Sequence, residues 1–193
     1  MLLRKAACTL FLAAASLAMP VLGCTQTSPQ SNNQMGDMKS DSGKPLLSPA
    51  ATASASLGDV KINIAYNAPS MRGRKIFGGL VPYGRWWRTG ANPATTLTTS
   101  ADLHFGDLLV PAGTHTLYTY PSEKQWLLII NKQTGQWGTE YSINEDLGRI
   151  PMMAKPMSAP QEVMSITFEN STPTSTELHI RWETTDRFVK ITK

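Results

Sequence analysis

The sequence predicts an all-β protein, with one antiparallel β-sandwich or jelly-roll-like domain over residues 47–193 and at most one short helix. Three observations lead there. Beyond residue 50, apolar residues recur at every second place in short runs, and no stretch holds a helical period for three turns. Turn signals punctuate these runs: Pro69-Ser70, Gly78-Gly79, Pro82-Tyr83-Gly84, Pro111-Ala112-Gly113 and Pro121-Ser122. Charged residues make up only 17% of the chain against 13 Pro and 14 Gly, which suits short strands and tight turns better than solvated helices.

Residues 1–23 read as an address, not as part of the fold. Arg4 and Lys5 form a basic start, an apolar run follows, and small residues close it, the layout of a secretory signal. The apolar stretch contains Pro20 and is short for a membrane span. It ends in Val21-Leu22-Gly23-Cys24, which resembles the lipobox of bacterial lipoproteins. That resemblance implies diacylglycerol on the Cys24 sulfur, cleavage between Gly23 and Cys24, and acylation of the new amino terminus. Several acyl chains hold a protein on a membrane where one does so only marginally, so membrane lipid is the expected partner of Cys24. Thr25 stands where an Asp would retain an enteric lipoprotein at the inner membrane. A periplasm-facing site on the outer membrane is therefore favoured over the inner membrane.

Residues 24–46 follow as lipid anchor and linker. They are rich in Ser, Gln, Asn, Gly and Asp, and cannot bury enough apolar surface to offset the entropy of ordering. The chain has 2 cysteines, Cys8 in the signal and Cys24 at its end. The domain is left with no thiol nucleophile, disulfide or thiolate metal site.

The strands come next. In 60–66, Val60, Ile62, Ile64 and Tyr66 alternate with Lys61, Asn63 and Ala65, a half-buried strand. Residues 95–105 are Thr-rich and extended. In 114–120, Thr114, Thr116, Tyr118 and Tyr120 share a face. Residues 125–131 have a continuous apolar centre, as in a strand covered on both sides. Runs at 163–169, 177–183 and 187–192 complete the set. In the second of these, Leu178, Ile180 and Trp182 point one way and His179, Arg181 and Glu183 the other. One short helix fits near 140–147. Trp126 and Trp182 are in phase with apolar neighbours and are expected in the core. Trp137, between Gly135 and Gly138, is expected to pack as well.

Several strings together resemble the bacterial family known as domain of unknown function 2911. They are Ser48-Pro49, Pro69-Ser70-Met71-Arg72-Gly73-Arg74-Lys75-Ile76-Phe77-Gly78, Leu80-Val81-Pro82-Tyr83-Gly84, Trp87-Arg88-Thr89-Gly90-Ala91-Asn92, Pro111-Ala112-Gly113-Thr114, and Asn131-Lys132 leading to Trp137-Gly138. The resemblance covers about residues 48–192 and implies an exported, β-rich domain; it brings no activity, substrate or catalytic residue. Pro93 stands where the family usually has Glu, and His115 where it usually has Tyr.

The most informative local feature is a charge asymmetry. Residues 60–101 contain Lys61, Arg72, Arg74, Lys75, Arg85 and Arg88 but no Asp or Glu, with Tyr83, Trp86 and Trp87 among them. Arginine presents a planar fork of donors suited to carboxylate or phosphate, and aromatic rings stack on sugars. Arg72, Arg74, Arg88 and Asn92 are thus the candidate ligand-binding residues, and the reading is a non-catalytic module for an anionic or glycan-like envelope ligand. Two rivals stand beside it. A hydrolase would draw a carboxylate pair from Glu162, Glu169, Glu177 and Glu183. A structural envelope-assembly protein would pair the arginines internally with Asp146, Glu162 or Glu183.

Other chemistries find little support. The formal charge of +4 falls to +2 once Arg4 and Lys5 leave with the signal, too little for a nucleic-acid footprint. His104, His115 and His179 lack the close spacing of a metal pair and are expected at the surface. No Gly-x-Ser-x-Gly elbow, Walker loop or dinucleotide fingerprint occurs, so no catalytic residue, metal or cofactor is assigned. Oligomeric state is left open.

Overall fold

The computed structural model describes residues 47–193, so the expected signal, Gly23, Cys24 and the linker lie outside the described residues. Twelve strands follow in order: β1 (Ala50–Leu57), β2 (Val60–Asn67), β3 (Thr95–Thr99), β4 (Leu103–Phe105), β5 (Leu108–Val110), β6 (Gly113–Tyr120), β7 (Leu127–Asn131), β8 (Asp146–Pro151), β9 (Met153–Lys155), β10 (Gln161–Glu169), β11 (Ser175–Glu183) and β12 (Thr185–Thr192). They form two antiparallel sheets, β1-β2-β3-β6-β7-β8 and β10-β11-β12-β4-β5, with β9 paired on β12. The domain is an all-β sandwich, as the alternation predicts.

Each sheet turns its apolar face to the other. Val60, Ile62, Ile64 and Tyr66 of β2 are buried while Lys61, Asn63 and Ala65 are exposed. Leu178, Ile180 and Trp182 of β11 and Val189 and Ile191 of β12 supply the opposite wall of the same core. Trp126 and Trp182 belong to it, as their phase predicts. Hydrophobic burial of this kind, roughly 25 cal/mol per Å² of apolar surface, is the main force holding the sheets together.

The 95–105 run does not form one strand. β3 stays between β2 and β6, and the chain then crosses at Ser100–Asp102 so that β4 pairs with β12 in the second sheet. Leu97 before the corner and Leu103 and Phe105 after it are all fully buried, so the hydrophobic pattern runs straight through the switch. β1 has no counterpart among the expected strands, because Ala and Ser in Ala50–Leu57 give too little contrast between faces. Near 140–147 only a single 3-10 turn, Ile143–Glu145, forms before the chain enters β8.

Two expectations are overturned. His179 is fully buried and His115 nearly so, whereas His104 is exposed. Trp137 is not a packing residue but stands 48% exposed. For His179 the cover comes from the paired strand, Asp186 and Phe188 of β12, which the period of its own strand does not reveal.

Candidate functional site

Residues 68–94 connect β2 to β3 and carry Arg72, Arg74, Lys75, Arg85 and Arg88, all the cations of the 60–101 run except Lys61, and they are held at several points along their length. First the segment extends the second sheet. Ser70 bridges Val163, the Met71 N–H donates to the Glu162 carbonyl at 2.8 Å, and the Met164 N–H donates to the Pro69 carbonyl at 2.9 Å. Next, the Glu183 carboxylate accepts the Ile76 and Phe77 N–H groups at 3.2 and 3.3 Å. Phe77 enters the core edge-on, 4.6 Å from Trp126 and 6.1 Å from Trp182. The segment then reaches the first sheet, where Trp87 exchanges backbone hydrogen bonds with Thr119 at 2.7 and 2.9 Å. Trp87 stacks on Trp182 inside, while Trp86 packs outside on Tyr118 and Tyr141.

Three non-glycine residues of this segment take the left-handed conformation: Arg72, Thr89 and Asn92, at φ 51°, 55° and 59°. For the β-branched Thr89 this costs on the order of 1–2 kcal/mol. The surroundings enforce it. Thr89 is fully buried, its hydroxyl donates to the Thr119 hydroxyl at 3.2 Å, and its carbonyl accepts from the Thr95 hydroxyl at 2.9 Å.

The guanidinium groups remain without acidic partners. Arg72 donates from Nη2 to the Leu47 carbonyl at 2.8 Å. Arg74 donates from Nε to the Met71 carbonyl at 2.9 Å and from Nη2 to the Ser70 carbonyl at 2.8 Å. Both side chains are exposed. Arg88 is half-buried, with Nε sealed and unpartnered, and burial pushes its pKa down. Among the described residues, no carboxylate forms an ion pair with Lys61, Arg72, Arg74, Lys75, Arg85 or Arg88.

The three acids that the internally paired arrangement calls on are engaged elsewhere. Glu162 accepts the Arg72 backbone N–H at 2.8 Å, and Glu183 holds Ile76 and Phe77. Asp146 accepts from Asn131, Tyr141 and Arg149 at 2.9, 2.7 and 2.9 Å. Burial, and then its hydrogen bond to Asp146, push the Tyr141 hydroxyl up to about 12. Arg187, which sequence reasoning did not single out, adds another cation that pairs with no acid among the described residues, 5.5 Å over the Trp126 ring.

The four candidate residues do not form one constellation. Arg72 and Arg74 sit where the segment runs beside β10. Arg88 and Asn92 sit where it meets the first sheet and Gly138. Among the described residues no hydrogen bond joins the two pairs. The second pair shares a seat. The Gly138 N–H donates to the Asn92 carbonyl at 3.1 Å, and a Cβ on Gly138 would lie 2.1 Å from Arg88 Cδ. Pro93, which replaces the family's usual Glu, bridges Trp137 beside this seat. His115, in place of the usual Tyr, engages Pro111 through Nε2 at 2.9 Å.

A second cluster lies on the outer face of the other sheet; sequence reading named its Glu169, Glu177, His179 and Arg181 separately but not as one group. His179 Nδ1 lies 2.8 Å from Asp186 Oδ1, its Nε2 lies 3.3 Å from Glu177 Oε2, and its ring stacks on Phe188. Arg181 donates to Asp186 at 2.8 Å and also pairs with Glu169. The Arg181 hydrogen bond holds the Glu169 carboxyl down at about 2, well below the usual carboxylate range. Glu169 and Glu177 face each other across β10 and β11, so two of the carboxylates considered for hydrolysis do meet. A carboxyl held ionised by Arg181 is nevertheless poorly suited to act as a general acid. Among the described residues no group of His, Cys, Asp and Glu is arranged to hold a metal ion. The signal that pointed here was the alternation Glu177, His179, Arg181 on one face of β11.

The family described as Protein of unknown function (DUF2911) matches residues 48–191, and the chain belongs to that family. No curated protein and no solved structure matches.

Proposed function

We propose that this member of the DUF2911 family is a membrane-anchored, extracytoplasmic binding module, non-catalytic, for an anionic or glycan-like ligand of the cell envelope. The observation that carries this reading is the state of the basic segment. Six cations between residues 60 and 101 have no carboxylate partner among the described residues. Unneutralised cations in a segment pinned by Glu183, Phe77 and Trp87 form a pre-organised surface for negative charge. The anchor follows from the lipobox-like Val21-Leu22-Gly23-Cys24 and the polar linker behind it.

The test uses the full chain purified in detergent, with immobilised anionic and neutral envelope polysaccharides as probes. The expected result is capture by the anionic polymers that weakens as salt rises. Arg72→Glu with Arg74→Glu, or Arg88→Ala, should lower affinity at least fivefold. Absence of anion binding at low salt, or binding indifferent to all three substitutions, overturns the reading. Release of reducing ends from the same polymers, abolished by Glu177→Gln, would instead support the hydrolase.

A further inference from the structure

We infer that the Arg187 guanidinium, held over the Trp126 ring with the Tyr83 phenol as its neighbour, is a binding site for the carboxylate of a small ligand. The site goes beyond the binding reading above, because it uses none of the six cations on which that reading rests.

The period of β12 sends Arg187 to the same side as Val189 and Ile191, which lie in the core. Its strand is paired on both flanks there, with Ile180 of β11 and Ala154 of β9 as its register partners. The guanidinium carbon stands 5.5 Å from the centre of the Trp126 ring. That ring is itself fixed. It is 2% exposed, and the Phe77 ring meets it edge-on at 4.6 Å. The Trp126 carbonyl accepts from the Met152 N–H at 2.9 Å and from Gln125 Nε2 at 3.1 Å. A cation over an aromatic face is held electrostatically, and the ring takes up none of its N–H donors.

Those donors have no protein acceptor. Among the described residues, the arginine side chains that donate hydrogen bonds are Arg72, Arg74, Arg149 and Arg181. Nor are the donors sealed: Arg88 Nε is the one arginine nitrogen of the described residues that is both buried and unpartnered. The Arg187 fork therefore reaches solvent although its side chain is half-buried. Burial pushes the Arg187 pKa down, and the Tyr83 phenol, not a carboxylate, is the acidic group that opposes the shift. A partly desolvated cation with no acid beside it raises the free energy of the empty protein. An oxyanion laid against the fork removes that cost and gains two parallel charge-assisted hydrogen bonds.

Tyr83 supplies a second donor. Its ring is seated on Gly78, where a Cβ would lie 2.9 Å from Tyr83 Cε2. The residue is 38% exposed. The tyrosine hydroxyls of the described residues that do find partners belong to Tyr66, Tyr118, Tyr120 and Tyr141. One guanidinium and one phenol carry a single positive charge, which a carboxylate balances and a phosphate dianion exceeds. Because fork and platform are ordered beforehand, little entropy is lost when the anion arrives.

A carboxylate can come from a sugar acid or from a peptide terminus, so the test carries both. The full chain in detergent is titrated calorimetrically with galacturonic acid, N-acetyl-alanyl-alanine, their neutral counterparts galactose and the peptide amide, and inorganic phosphate. At least one acid should bind roughly tenfold or more tighter than its neutral counterpart, and that acid names the source. Arg187→Met keeps an apolar stem on Trp126 and should remove this preference, with the circular dichroism of the parent retained. Arg187→Lys keeps the charge but loses the fork and should weaken binding roughly fivefold or more. Tyr83→Phe loses only the hydroxyl and should weaken it about threefold. Arg72→Glu with Arg74→Glu should leave it unchanged, even where capture of anionic polymers is lost. No preference for either acid, tighter binding of phosphate than of both acids, or indifference to Arg187→Lys or Tyr83→Phe overturns the inference. So does loss of carboxylate binding in the Arg72 and Arg74 double variant, which would return the anion to the basic segment.

Discussion

Gly138→Ala offers the sharpest test of how the Arg88 seat is built. The new Cβ would lie 2.1 Å from Arg88 Cδ and 2.5 Å from the Asn92 carbonyl oxygen. Carbon atoms in contact normally stand about 3.5–4.0 Å apart, so both approaches are forbidden. Arg88 has rotamers to yield with, but the Asn92 oxygen is backbone and moves only if the segment moves. Overpacking of this kind costs roughly 1–3 kcal/mol, and the fixed carbonyl argues for the upper half. In a domain of this size that lowers the thermal midpoint by about 4–12 °C. Calorimetry on Gly138→Ala, Arg88→Ala and the double variant separates the two clashes. Truncating Arg88 relieves the Cδ contact alone, so the double variant should be less destabilised than the sum of the singles, by roughly 0.5–3 kcal/mol, yet still less stable than Arg88→Ala. A Gly138→Ala midpoint at the parent value, or strict additivity in the cycle, would refute the close packing on which the seat depends.

Three more outcomes follow from other parts of the molecule. Glu183→Gln keeps one acceptor for Ile76 and Phe77 but sets an NH2 against the second N–H; it should cost about 1–3 kcal/mol and speed tryptic cleavage at Arg72–Lys75, and unchanged cleavage would show that Glu183 does not hold the segment. Glu169 has a folded pKa of about 2 against an ordinary 4.5, so its contribution is complete above pH 4.5 and disappears as pH falls toward 2. With its side chain 29% exposed, that contribution is of order 1–2 kcal/mol after screening, and the stability gap between parent and Glu169→Gln should close over that window; a gap constant with pH contradicts the assignment. Cys24→Ala should move the protein from the membrane to the soluble fraction, and continued membrane retention would count against acylation at that residue.

The strand-like pattern of short runs was sufficient to locate β2, β6, β10, β11 and β12, because a strand's side chains change face at every residue and only one set fits the core, and a continuous apolar centre located β7. It also placed Trp126 and Trp182 correctly. β1 escaped because Ala and Ser differ too little in hydrophobicity for the period to show. The break between β3 and β4 escaped because Leu97, Leu103 and Phe105 keep facing the same core although the chain changes sheet.

The composition of the basic segment was a property of the sequence alone: six cations and no acid. Whether those cations were neutralised was not, since any partner had to come from far away. Glu183 reaches Ile76 across 107 positions and Glu162 reaches Arg72 across 90, and each carboxylate chose backbone N–H groups over a guanidinium. The burial of His179 was hidden differently: Asp186, only 7 positions on, and Phe188 cover it from the paired strand β12, and Glu169 of β10 lies beside it, none of which the period of β11 alone shows. Local pattern determines which face a side chain takes. Only the packing of remote segments decides what waits there, and so whether a charge is paired, buried or left to a ligand.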